Sequence, residues 1–243
     1  MIGDFEITQL GYSKPDKPGK DNNFRGLTIY NNTMYVTKGS GGNGINTVYQ
    51  VGNAGTLPAG TTAELASLPI TILPGFPTSL ASGVDQNGNP APVAFPFGLF
   101  FADENTLYVC DEGDGVAADA TQGTGGVQKW SYSNGTWHML YVLRDGLDLG
   151  VPYAVSNYPS PATDGCRNLT GKVNGKGTVE LYAVTSTVSA SGDQGADPNK
   201  LVKVTDLLRA TTRPNGNGLG HFTTIRSATS GEVFRGVSFA PRK

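Results

Sequence analysis

Apolar residues along this chain come in short runs, many alternating with polar ones, divided by clusters of Gly, Asn, Asp, Ser and Pro. Alternation is the period of a half-buried strand, and no stretch of a dozen residues keeps the 3.6-residue period of an amphipathic helix. The best helical turn in the pattern is Asp206-Leu207-Leu208-Arg209. Strands are expected at Phe24–Tyr30, Met34–Thr37, Thr47–Val51, Phe95–Phe101, Thr106–Cys110, Gly126–Tyr132, Thr136–Leu143, Val179–Thr185, Lys200–Val204 and Phe222–Ile225. Asn31-Asn32 separates the first two, and Asn134-Gly135, a strong hairpin signal, joins Gly126–Tyr132 to Thr136–Leu143. The stretch Gly55 to Pro96 is rich in Pro, Ala, Thr and Leu and reads as a long insert, able to cover a neighbouring surface.

These strands recur. Arg25-Gly26-Leu27, Phe97-Gly98-Leu99, Arg167-Asn168-Leu169 and Arg235-Gly236-Val237 open successive units, and the anchors Gly26, Gly98, Asn168 and Gly236 stand 72, 70 and 68 positions apart. A tyrosine recurs in the second strand at Tyr35, Tyr108 and Tyr182, as packing between neighbouring units requires. Four short strands repeated at constant spacing describe the blade of a propeller, and one blade cannot cover its own two apolar faces. The fold class expected is therefore all-β: a β-propeller segment of about three four-stranded blades plus flanking strands of a further one. The blades fall at approximately 24–94, 95–165 and 166–233 of one partial domain, 1–243. Residues 1–23, with a strand at Phe5–Tyr12, and residues 234–243 would add strands to adjacent or closing blades. Propellers typically have 4 to 8 blades. The expected partner is thus another copy, or a further propeller fragment, completing the ring.

Several phrases carry a family resemblance. Phe24-Arg25-Gly26-Leu27, then Asn105-Thr106-Leu107-Tyr108-Val109 with Asp111 and Gly113, then Val127 and Trp130, resemble the repeats of NHL- and YVTN-type propellers. The longer phrases Phe24–Gly44, Phe97–Gly115 and Thr185–Thr205 resemble an uncharacterised group of exported propeller proteins of bacteria and plants. The resemblance implies the fold and is silent on activity, since such propellers serve as binding modules, scaffolds and enzymes.

Composition agrees with an all-β chain: 34 of the 243 residues are Gly, and only 16% are charged. The net charge of −2, without a basic cluster, offers a nucleic-acid backbone no partner. No apolar run is long enough to span a bilayer as a helix. Sparse Lys, abundant Asn, Gly and Thr, and two cysteines suit an extracellular or periplasmic setting, and residues 1–8 lack the pattern of a signal peptide. Cys110 and Cys166 are either small buried thiols or one disulfide between neighbouring repeats. Asn31, Asn134 and Asn168 head glycosylation sequons.

Three features could bind or react. Arg25, Arg167 and Arg235 each precede an anchor, so a propeller would gather them at one mouth of its channel. There they would bind a carboxylate or phosphate, or pair with acidic residues of neighbouring blades. Asp111, Glu112 and Asp114, with Asp119 beyond, form an acidic glycine loop that suits a hard cation such as Ca²⁺, or else a solvated turn or the acidic partner of one of the arginines. The loop Gly192–Asn199 reads as turn-capping. Trp130 and Trp137 flank the Asn134-Gly135 turn, where one could stack on a sugar. His138 and His221 lack partners at metal-ligand or catalytic spacing, and the glycine run Gly39–Gly44 joins two strands, unlike a phosphate loop. The function expected is an exported binding or interaction module without enzymatic chemistry. The alternatives are a hydrolase or lyase at the channel mouth, metal-assisted through the acidic loop, and a carbohydrate-binding protein.

Overall fold

A computed structural model describes residues 23–39, 44–85, 87–189 and 192–240. The Phe5–Tyr12 strand, most of the Gly39–Gly44 run and the last three residues lie outside them. Nearly all regular structure is β, in three four-stranded antiparallel sheets, each a meander of consecutive strands. The first holds β1 (Phe24–Tyr30), β2 (Thr33–Lys38), β3 (Thr47–Val51) and β4 (Ile70–Ile72). The second holds β5 (Pro96–Asp103), β6 (Thr106–Asp111), β7 (Gly126–Ser133) and β8 (Thr136–Leu143). The third holds β9 (Ala162–Val173), β10 (Thr178–Val188), β11 (Lys200–Leu207) and β12 (Thr223–Ser227).

The turns explain the meander. Asn31 and Asn32 have φ of 46° and 52°, and Asn134 and Gly135 have 50° and 80°. Positive φ at both central residues makes a two-residue turn whose twist matches the strands it joins. Asn and Gly take that conformation at low cost, so the sequence signal and the geometry share one cause.

Three expectations change. The insert is not a bare loop: it supplies β4, the fourth strand of the first sheet, and the helix α1 (Thr62–Ala66). Thr61 and Glu64 cap α1 reciprocally, the Thr61 N–H donating to Glu64 Oε2 at 2.7 Å and the Glu64 N–H to Thr61 Oγ1 at 3.4 Å. The helical turn expected at Asp206–Arg209 is instead the end of β11 and the turn after it. There Asp206 is buried and Leu207 pairs with Thr178, which holds the backbone extended. The Phe234–Phe239 strand expected to open a fourth unit has no strand hydrogen bonding.

The chain forms two compact units. One takes residues up to Pro96 with Asn134–Trp137; the other takes Phe97–Ser133 and the residues from His138 on. In the second unit a single core joins the second and third sheets, through Phe97, Tyr108, Leu143, Leu169, Leu181 and Val202. In the first unit Val36 and Tyr49 form a smaller core, flanked by half-buried Phe24, Met34, Val51 and Ile72.

Candidate functional site

The second unit brings several predicted site residues to one seam, where β5 and the end of β6 meet β9. Close backbone approach makes the seam. A Cβ at Gly98 would lie 2.6 Å from the Leu169 nitrogen, and one at Gly165 would strike the Asp111 carbonyl, so only glycine fits at either position. One turn of the repeat later, the Asn168 amide donates to the Arg235 carbonyl. Asn199 donates to the Phe234 carbonyl at 2.9 Å and accepts its N–H at 2.8 Å. Tyr182 meets Phe239 edge-on at 5.5 Å.

Arg167 takes the pairing role. Its Nε lies 3.4 Å from Glu112 Oε2, and its guanidinium sits 4.6 Å from the centre of the Phe97 ring. Phe97 therefore supplies the face on which the next repeat's arginine stacks. Arg167 and Arg235 line one small cavity of about 50 Å³ with Phe97, Asn168, Gly195 and Phe234. Arg235 is exposed there and has no ion pair among the described residues. Arg25 belongs to the first unit and lines a different hollow.

The acidic loop is largely buried and internally satisfied. Asp111, fully buried, accepts from the Gly113 N–H and from Gln128 Nε2, both at 3.0 Å. Gln128 in turn accepts from Trp130 Nε1 at 2.9 Å. The Glu112 carbonyl accepts from Ser186 Oγ and Gln194 Nε2. Asp114 and Asp119 are exposed. Among the described residues no three His, Cys, Asp or Glu side chains gather as a metal would require. The Asp111–Glu112–Asp114 set thus diverges: one carboxylate is committed to an amide, one to an arginine, and one faces solvent.

Asp164, which carries no mark in the sequence, is a carboxyl of this seam whose pKa is clearly raised. It is 1% exposed. Its Oδ2 accepts from the Gly115 N–H and from Gln194 Nε2, each at 2.8 Å, and its Oδ1 has no partner among the described residues. Burial pushes its pKa up to about 6; the Gly115 hydrogen bond pulls it back, and the nearby Asp114 and Asp111 charges raise it further. A second buried network lies between the same sheets. Lys129 Nζ is 3.1 Å from Asp206 Oδ2, and Tyr108 and Tyr141 donate to that carboxylate at 2.6 and 2.8 Å. Lys129 also donates to Tyr141 Oη, Leu207 O and Ala210 O, which uses its whole donor capacity. The one hint in the sequence was a lysine at the centre of a strand, between Gln128 and Trp130.

The other candidates separate. Trp130 and Trp137 are both buried, Trp137 edge-on to Phe76 at 6.4 Å, so neither offers a flat face to a sugar. His138 and His221 are exposed. Asn31 and Asn134 sit exposed on turns, whereas Asn168 lies half-buried within β9 with its amide engaged. Cys110 and Cys166 are buried and unbridged.

In the first unit one face of the first sheet is exposed along its edge strand β1. Leu27 pairs with Val36 and Ile29 with Met34, and the rows continue to Tyr49, Val51, Ile70 and Ile72. Leu27 is 62% and Ile29 51% exposed, and Leu27 lines a hollow of about 300 Å³. In the third sheet the corresponding row is Leu169–Ala183–Val202, and it is buried in the core shared with the second sheet. In the first sheet Val36 and Tyr49 of that row are buried, while Leu27 and Ile29 on its edge strand β1 are exposed.

No family model matches the chain. No curated protein matches it significantly. Nor does any solved structure.

Proposed function

We propose that this chain is a run of β-propeller blades and acts as an exported interaction module, whose open first sheet receives a further blade from a second copy or another propeller fragment. One observation carries the reading. Leu169 is covered because the preceding sheet packs on it, while Leu27, at the same position of the repeat, is bare. A row of apolar side chains on an unpaired sheet face favours association, by roughly 25 cal/mol for each Å² of apolar surface removed from water. The close packing of Gly98 on Leu169 supports stacking of sheet on sheet, and Asn168 holds the Arg235 carbonyl at the next position of the repeat. Exposed Arg235, at the rim of its small cavity, adds a point where a carboxylate of a partner or ligand would dock.

Light scattering coupled to size-exclusion chromatography tests the self-association form of this reading. The expected result is a particle of at least two chains; a stable monomer across the micromolar range would sink it.

A further inference from the structure

Cys110 and Cys166 occupy equivalent sides of the seam without a role in the interactions described so far. Cys110 is the penultimate residue of β6 in the second sheet, and Cys166 lies in β9 of the third. Both are completely buried and share one core cluster. After burial, Cys166 is among the groups that push the Cys110 thiol up, as a near neighbour would. The backbone beside them is in contact too, since a Cβ on Gly165 would strike the carbonyl of Asp111. Two cysteines so placed meet the first requirement of a cross-link, that the chains carrying them already lie side by side.

We infer that Cys110 and Cys166 form a disulfide site that clamps the second sheet to the third when the protein folds in an oxidising compartment. The chemistry is ordinary thiol–disulfide exchange with a disulfide oxidant, such as a dithiol oxidoreductase or oxidised glutathione. One protein thiolate attacks the oxidant's disulfide and expels one of its sulfurs as thiolate, leaving a mixed disulfide. The second protein thiolate attacks the protein sulfur of that intermediate and expels the remaining oxidant thiolate. Two protein thiols lose two electrons and two protons, and the oxidant disulfide becomes two thiols. Burial pushes the Cys110 thiol well above its usual range, so in the closed fold it stays protonated and unreactive. The exchange therefore belongs to folding, or to openings of the seam, and the finished bond is shielded from reductant.

The test uses the full chain, unfolded and reduced, then refolded either in a glutathione redox buffer or in excess reductant. Each sample is denatured in a thiol-alkylating reagent and analysed by intact mass and peptide mapping. Oxidative refolding should give a chain lighter by two hydrogens, with no alkylation and with the Cys110 peptide joined to the Cys166 peptide. Closing so long a loop should raise the melting temperature on the order of 10 °C over the reduced protein. Cys110→Ser and Cys166→Ser should each lose that shift. Two alkylated thiols after oxidative refolding would overturn the site, as would glutathione adducts or bridges between chains. Mapping of the native sequence decides the matter even where a serine variant folds poorly.

Discussion

Asp164 is the residue whose protonation couples most directly to the stability of the seam. Its folded-state pKa of about 6 lies above the ordinary 3.8, so between those values the folded chain holds more proton than the unfolded one. Stability contributed by this group is therefore present at the acidic end and is lost as pH rises from about 4 to about 6, with no further change above. Asp164→Asn keeps an acceptor for the Gly115 and Gln194 donors and removes the charge. Thermal melts from pH 4 to 8 should show the variant gaining on the parent as pH rises through that window. A parallel pair of curves would contradict the burial argument. Sequence alone gave no sign of this residue: an aspartate beside glycine reads as a turn, and only the fold buries it between two sheets. Arg167 was legible because the repeat marked its position. Its partner, Glu112, was legible only as one of several roles for the acidic loop, cation ligand, solvated turn or partner of an arginine, because the pairing spans two repeats.

At the level of strands and turns, the Lys129–Asp206 contact ties β7 to β11, with Tyr108 and Tyr141 completing the carboxylate's hydrogen bonds. Removing one member of a buried pair leaves the other charge uncompensated, which costs about 3–5 kcal/mol. Asp206→Ala should lose stability in that range by urea denaturation. Adding Lys129→Met should recover part of it, because the double variant buries no orphan ammonium; a strictly additive result would show the two groups to be uncoupled. Most strands could be read from alternation and turn residues, and the Asn134-Gly135 hairpin followed from chemistry alone. The strand β4 could not, since three residues between a helix and a loop are too few to display a period. The Thr61–Glu64 capping pair was present in the sequence and would have marked α1. Trp130 and Trp137 misled because a hairpin flank looks exposed until the groups packed on it are known.

For the molecule as a whole, the repeat predicts more surface than these sheets cover. Leu27 and Ile29 are exposed, so replacing them with glutamate should barely alter the stability of an isolated chain, within about 0.5 kcal/mol. The same L27E/I29E variant should dissociate any assembly built on that face, read as a shift to single-chain mass in light scattering. An assembly that survives both charges would place the contact elsewhere. The anchor Gly98 of the second sheet packs against Arg167–Leu169 of the third, where the repeat places the next anchor. Which sheet faces lack a cover was not visible in the sequence, because Leu27, Leu99 and Leu169 are the same letter in the same setting.

The way each meander is closed also sets an order of loosening. In the second sheet β8 is joined to β7 by two residues, Asn134 and Gly135, whereas β4 and β12 are reached only after the long stretches from Val51 to Ile70 and from Leu207 to Thr223. An edge strand tethered by a long connection gives up little of its neighbours' structure when it detaches, and every residue of β12 is already exposed. Amide hydrogens of β11 that bond to β12, and of β3 that bond to β4, should therefore exchange with solvent well before those between β7 and β8. The fraying edges would be the first sites opened to a protease, while the inner strands remain closed.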